Sequence, residues 1–169
     1  MNLKILKNFT LTPLLQNQKD EVKKQLLLFQ RKADIKIMSV NFKKIKSFRS
    51  KDQLIQEQVN QFLLDEDVKY VAIDDDTGEI GCFFCFSIEK KEADFKMALK
   101  NPEYVFNPLM IDIAKKVMDI VKRKYGIERM YSRLYERNNF TNYKKFITKY
   151  LNGKLTKDGE KRATIEYNI

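Results

Sequence analysis

Histidine is absent from the 169-residue chain, and so is tryptophan. Without an imidazole, a single chain cannot run serine or cysteine chemistry on a histidine base, hold zinc through histidine, or switch its charge near neutral pH on a histidine. Five glycines and three prolines exclude collagen-like and Pro/Gly-rich low-complexity structure. No run approaches the ~20 apolar residues that cross a bilayer. The opening stretch, Met1 to Asn8, is too polar for the core of a signal peptide. The expected setting is the reducing cytoplasm, with no membrane partner.

Cysteine is scarce as well. Cys82 and Cys85 form a CxxC, but they lie inside Ile80-Gly81-Cys82-Phe83-Phe84-Cys85-Phe86-Ser87-Ile88, which reads as an apolar strand. Residues three apart on a strand point to opposite faces, so the two sulfurs diverge. A redox CxxC usually opens a helix, and a zinc site needs two further ligands, so two buried, reduced thiols and no metal are expected.

Positive charge is plentiful. Lys plus Arg number 33 against 23 Asp plus Glu, a net +10. Such a surface attracts polyanions or an anionic small molecule. The abundance of Lys, Asn and Ile is also that of an AT-rich coding sequence, as in a low-GC bacterium or its virus, and this bias raises the charge without any function. With 43% hydrophobic residues the chain has the material for a core, and its length suits one α/β domain over residues 1–169.

The expected elements run in this order. Leu3 to Phe9 is strand-like, ending near Thr12-Pro13, and Asn17 to Arg31 is an amphipathic helix carrying Val22, Leu26 and Phe29. Ile35 to Phe48 has no clear period and reads as an irregular connection. Ser50 with Gln53 makes a capping-box pattern ahead of a second helix to Leu64. Val68 to Ile73 and Glu79 to Lys90 form a hairpin across Asp74-Asp75-Asp76-Thr77-Gly78, whose aspartates read as turn chemistry because the spacing of a calcium loop is absent. Ala93 to Lys100 is a strand. Pro108 to Lys124 is a helix with Met110, Ile113, Ala114, Val117, Ile120 and Val121 on one face, proline in its first turn and Gly126 just past its end. Arg129 to Glu136 is a strand, Asn139 to Tyr150 a helix, and Lys161 to Tyr167 a last strand after the turn Lys157-Asp158-Gly159.

This order resembles the GNAT N-acetyltransferase superfamily. Tyr70 to Gly81 looks like that family's hairpin, Asn101-Pro102-Glu103-Tyr104 like its Pro-Glu-Tyr stretch before the cofactor loop, and Gly126 to Met130 followed by Asn138-Asn139 like the segment leading to a frequent Asn. The resemblance covers Val68 to Ile169, and the N-terminal third by element order alone. It implies a central mixed, mostly antiparallel sheet flanked by helices. It also implies an acetyl group moved from acetyl-CoA to the amine of a small molecule or protein, without a covalent enzyme intermediate. Leu99, Asn107, Leu109, Met110 and Asn139 would lie against the cofactor, and the amine's proton would pass to Glu79, Glu89, Glu92 or water. Two positions depart from the family pattern. The phosphate loop, Val105-Phe106-Asn107-Pro108-Leu109-Met110, has neither of its glycines, and the tyrosine that often protonates the departing thiolate falls at Phe146. Tyr143, one turn earlier, is the candidate replacement.

A second reading comes from the strand Arg129-Met130-Tyr131-Ser132-Arg133-Leu134-Tyr135. Alternation puts Arg129, Tyr131, Arg133 and Tyr135 on one face, where guanidinium and phenol groups can meet phosphates and stack on bases. The same groups also suit a wall beside CoA or an ordinary covered sheet face. Lys43 to Arg49 adds a second basic cluster suited to an acidic acceptor or an acidic protein. The alternative to an acetyltransferase is therefore an inactive GNAT-like protein, viral in one version, that binds nucleic acid or a protein through these faces.

Overall fold

The structure, a computed structural model, describes residues 2–33, 53, 56, 60, 63, 66–135, 140–159 and 162–169, with the backbone alone described at 26, 28–33, 135 and 140–143. The chain divides into two compact units, one of residues 15–66 and one of residues 1–14 with 67–169. In the first, a 3-10 turn at Gln16–Gln18 leads into helix α1, Lys19–Ala33. The Gln18 side chain accepts the Leu15 N–H at 2.9 Å, and Asp20 and Glu21 sit in the first turn, where the helix dipole favours negative charge. The connection expected over Ile35 to Phe48, the basic cluster Lys43 to Arg49 and most of the helix expected from Ser50 to Leu64 lie outside the described residues. Gln53, Gln56, Asn60 and Leu63, which are described, are helical.

The second unit is built on a seven-stranded sheet: β1 Phe9–Pro13, β2 Val68–Asp74, β3 Ile80–Glu89, β4 Glu92–Lys100, β5 Arg129–Tyr135, β6 Gly153–Asp158 and β7 Arg162–Tyr167, in the spatial order β1-β2-β3-β4-β5-β7-β6. Every neighbouring pair is antiparallel except β4 with β5, which is parallel. Helix α2, Pro108–Tyr125, makes the crossover between those two strands, and α3, Phe140–Tyr150, follows β5. This is the mixed, mostly antiparallel sheet flanked by helices that the element order implied.

Local chemistry explains α2. Asn107 caps its start, Pro108 takes the first turn, where a missing N–H costs nothing, and Gly126 ends it in the left-handed region at φ 62°. Lys122, Arg123 and Lys124 fill the last turn at the negative end of the dipole. Its buried stripe of Met110, Ile113, Ala114, Val117, Met118 and Val121 joins Tyr70, Ala72, Cys82, Phe84, Phe86, Ala93, Phe95, Met130, Ile165 and Tyr167 in one core, to which α3 adds Ile147 and Leu151. Both helices therefore cover the same sheet face. Phe86 and Phe95 stack there at 4.4 Å. Cys82 belongs to this core, while Cys85 is buried on the opposite side of the strand, and neither is in a disulfide.

Two expectations change. The segment expected as a strand from Leu3 to Phe9 makes only an isolated bridge, Lys4 with Tyr104, and the first true strand begins at Phe9. Its Lys4 N–H and C=O are used on Glu103 and Val105, so the segment ties down the β4–α2 loop instead of joining the sheet. Strand β6 was not expected at all. Gly153-Lys154-Leu155-Thr156-Lys157-Asp158 is mostly exposed, because an edge strand needs little apolar alternation to form.

Candidate functional site

Strands β4 and β5 pair for three residues only: Glu92 with Arg129, Ala93 with Met130, and Asp94 with Tyr131. Beyond that rung they part, although β4 continues to Lys100 and β5 to Tyr135. A bulge marks the place: across from β3, Cys85 faces Met97 and Phe86 faces Phe95, leaving Lys96 as the extra residue. Side chains close the apex. The Ser132 hydroxyl donates to the Phe95 carbonyl at 2.7 Å and lies 2.6 Å from the Tyr167 hydroxyl, so Tyr167 donates to Ser132. Burial pushes the Tyr167 hydroxyl above its ordinary pKa.

Past the bulge, the Asn101 N–H donates to the Gly81 carbonyl at 2.8 Å. Antiparallel pairs alternate, so the peptide groups of Leu99 and Met97 face β3, while those of Ala98 and Lys100 face the side that β5 leaves. Leu99 thus directs its N–H into the ladder, and the edge turned to the opening belongs to its neighbours.

The opening lies between the entry to α2 and the side of α3. At the α2 entry, the Asn107 carbonyl and Oδ1 accept the Met110 N–H at 3.0 and 3.3 Å, and Asn107 Nδ2 donates to the Leu6 carbonyl at 3.1 Å. Pro108 has no N–H, and Leu109 packs half-buried against the core. Phe106 is 47% exposed, with its ring edge-on to Phe146 at 5.8 Å. Phe146 in turn lies against Tyr150 at 5.6 Å. The three rings form a row joining the β4–α2 loop to α3.

That loop is held from below. Asn101 Nδ2 donates to the Ile80 carbonyl at 2.8 Å, and the Lys100 ammonium donates to the carbonyls of Tyr104 and Asn101 at 2.6 and 3.0 Å. Burial holds the Lys100 pKa below its ordinary value. Tyr104 is fully buried and donates its hydroxyl to Asp74 Oδ2 at 2.7 Å, with Thr77 Oγ1 3.1 Å away. Glu79, a candidate proton acceptor, has its carboxylate on the Lys4 ammonium and 3.3 Å from the Tyr104 hydroxyl. In the hairpin turn, Asp74 Oδ1 accepts the Asp76 N–H and Asp75 accepts the Thr10 hydroxyl, which is turn chemistry.

On the other face of β5, Arg129 and Arg133 flank the Tyr131 ring at 4.6 and 5.8 Å. Arg129 meets Glu92 and Glu166, each at 3.3 Å, and Arg133 grips Asp94 Oδ2 at 2.7 and 3.0 Å. The guanidinium charges on this face are therefore compensated. The side chains of Tyr135 and Tyr143, and all of Asn139, lie outside the described residues. Asp94, Ser132, Tyr167 and Tyr150 were missed in the sequence. Ser132 alone carried a signal, a lone hydroxyl between Met130 and Leu134 on the apolar face. Among the described residues no helix is long and apolar enough to cross a membrane, and no three potential metal ligands converge.

No protein-family model matches the sequence, and no curated protein matches it. Solved structures do. The chain is similar to a PaiA N-acetyltransferase of Thermoplasma acidophilum in complex with coenzyme A, at TM-score 0.66 and 12% identity over 96% of this chain and 100% of that one. It is similar to an acetyltransferase of Thermus thermophilus, at TM-score 0.65 and 10% identity over 98% and 100% of the two chains. A GNAT-family acetyltransferase of Bacillus anthracis matches at TM-score 0.63 and 10% identity over 100% and 98%.

Proposed function

On the GNAT fold that this chain shares with N-acetyltransferases, we propose that it moves an acetyl group from a thioester donor of the acetyl-CoA type to an amine. The observation that carries this reading is the parting of β4 and β5 after the Asp94 and Tyr131 rung, beside the entry to α2. Ligands of open α/β sheets bind outside the carboxyl ends of parallel strands, and this is the only parallel pair among the described strands.

Past Lys96 the β4 edge runs along the side that β5 leaves, with the Lys100 peptide group facing it, and an extended ligand that carries amides would lie beside that edge as an added strand does. In the reaction the amine nitrogen attacks the thioester carbonyl carbon, the C–N bond forms and the C–S bond breaks. The nitrogen loses one proton and the departing sulfur gains one. The protein's contribution is alignment and main-chain polarisation of the carbonyl, with Tyr143 on α3 proposed as the donor to sulfur and Glu79 or water as the acceptor from nitrogen.

The compensated guanidiniums support this reading over a nucleic-acid face, since Arg129 and Arg133 would have to leave Glu92, Glu166 and Asp94 to meet phosphates. The test is thermal stabilisation by acetyl-CoA, which amounts to about 2.7 kcal/mol at 100 times the dissociation constant. Absence of any shift at millimolar acetyl-CoA would refute the proposal.

A further inference from the structure

Strand β1 stands first in the sheet, so one of its edges is left unpaired by the described strands. The Asp75 N–H donates to the Asn8 carbonyl at 3.0 Å and the Leu14 N–H to the Lys69 carbonyl at 2.9 Å, in the register that sets Phe9 opposite Asp74 and Leu11 opposite Ala72. Antiparallel pairs alternate, so the peptide groups of Asn8, Thr10, Thr12 and Leu14 face β2, and those of Phe9 and Leu11 face outward. Among the described residues neither outward N–H has an acceptor. The side chains of Phe9 and Leu11 pack against the core that α2 covers. Between them and α2 runs a groove of about 490 Å³. Phe9, Leu11 and Ile120, all half-buried, give it an apolar floor, and the exposed Lys7 and Lys116 line it. The Lys116 ammonium stands 5.6 Å from the centroid of the Phe9 ring. Neither lysine has a hydrogen bond or an ion pair among the described residues. The one carboxylate of the groove, Asp75, already takes the Thr10 hydroxyl at 2.6 Å. All of these residues belong to the unit of residues 1–14 and 67–169.

We propose that the β1 edge takes an extended, acidic peptide segment of another protein as an eighth strand. Main-chain hydrogen bonds to Phe9 and Leu11 hold it, and the groove reads its side chains. Residues directly opposite one another share a sheet face, so two peptide residues, two apart, stand over the groove while the one between them points away. The residue opposite Phe9 meets Lys116 above that ring, together with Lys7, and is Asp or Glu. The residue opposite Leu11 lies on the apolar floor beside Ile120 and is apolar. An antiparallel segment therefore reads apolar, any residue, acidic. The net charge of +10 steers such a partner toward the chain. The proposal does not depend on the acyltransferase reading.

Titration of the nitrogen-15-labelled full chain with the peptide acetyl-Thr-Val-Thr-Glu-Thr-amide, followed by NMR, tests this. The amide signals of Phe9 and Leu11 are expected to move, with a dissociation constant of about 1 mM or tighter. Methylating the Glu nitrogen of the peptide removes its donor to the Phe9 carbonyl and is expected to weaken binding about fivefold. Putting Gln in place of that Glu should cost about as much, since it gives up the attraction of two ammonium groups. Lys7→Ala combined with Lys116→Ala changes two exposed side chains and should leave the Glu and Gln peptides binding equally. Signals of Phe9 and Leu11 that stay in place at about 10 mM peptide overturn the proposal. Equal binding of the methylated peptide overturns strand addition, and equal binding of the Gln peptide to the unaltered chain overturns the acidic class. Sedimentation of the chain alone covers the remaining occupant: a dimer whose formation moves the Phe9 and Leu11 signals makes a second copy of this chain the eighth strand and overturns the proposal.

Discussion

Replacing Tyr104 with Phe removes one oxygen atom from a fully buried position and probes how the β4–α2 loop is held. The hydroxyl donates to Asp74 Oδ2 at 2.7 Å, and Asp74 is only 3% exposed. Burial alone would raise the Asp74 pKa, yet hydrogen bonds from Tyr104, the Asp76 N–H and Thr77 bring it below the usual carboxylate value. Phe fills the same space, so no cavity is created beyond the lost oxygen. The expected cost at pH 7 is that of one hydrogen bond to a charged group, about 1.5–3 kcal/mol. For a chain of this size that is a fall in Tm of roughly 4–8 °C. The pH dependence has a definite sign. A carboxyl whose pKa is depressed on folding adds stability above its unfolded value of 3.8 and loses it as pH falls through the lower folded value. The gap between the wild type and Tyr104→Phe should therefore be full well above the unfolded value of 3.8 and close as pH falls through the lower folded value. Urea or thermal unfolding at several pH values measures it. A cost under about 0.5 kcal/mol at pH 7, or one that persists unchanged in acid, would refute the reasoning.

Gly153→Ala should destabilise the fold by about 1–3 kcal/mol through overpacking, since an added Cβ would lie 2.4 Å from Ile165 Cγ2 and 2.7 Å from Ile147 Cγ2; equilibrium unfolding checks this. Cys82 is 4% exposed with its thiol pushed up to about 12 by burial, and Cys85 is fully buried. Neither should react with a thiol reagent near pH 8 until denaturant is added, as colorimetric titration would show. We also propose that residues 1–169 form one domain, for which calorimetry should give a single cooperative transition with equal calorimetric and van't Hoff enthalpies.

The legibility of the fold followed how local each cause was. The helix from Pro108 was readable because Asn107, Pro108, the apolar stripe and Gly126 all lie within one stretch of chain. The β2–β3 hairpin was readable for the same reason, with Gly78 at φ 74° in its connection. Strand β6 was not readable, since its pairing with β7 does the work that an apolar face does elsewhere. Within the site, the loss of loop glycines and the position of Phe146 were visible as departures from a family pattern. The contact between Phe106 and Phe146 was not, because 40 residues of sequence separate two rings that meet at 5.8 Å. Asp94 carried no signal beyond its charge, and its role as the partner of Arg133 depends on a parallel rung formed across a whole crossover.

By itself the sequence determined the absence of histidine chemistry, the positive charge, the divergence of the two cysteines and the order of the elements from Val68 to Tyr150. These depend on composition and on periodicities of a few residues. Tertiary structure alone decided that β4 and β5 run together for three rungs and then part, that Ser132 and Tyr167 close the apex, and that carboxylates compensate the arginines of β5. Each of these needs groups far apart in sequence to be brought into register, and strand pairing and core packing supply that register only once the chain has folded.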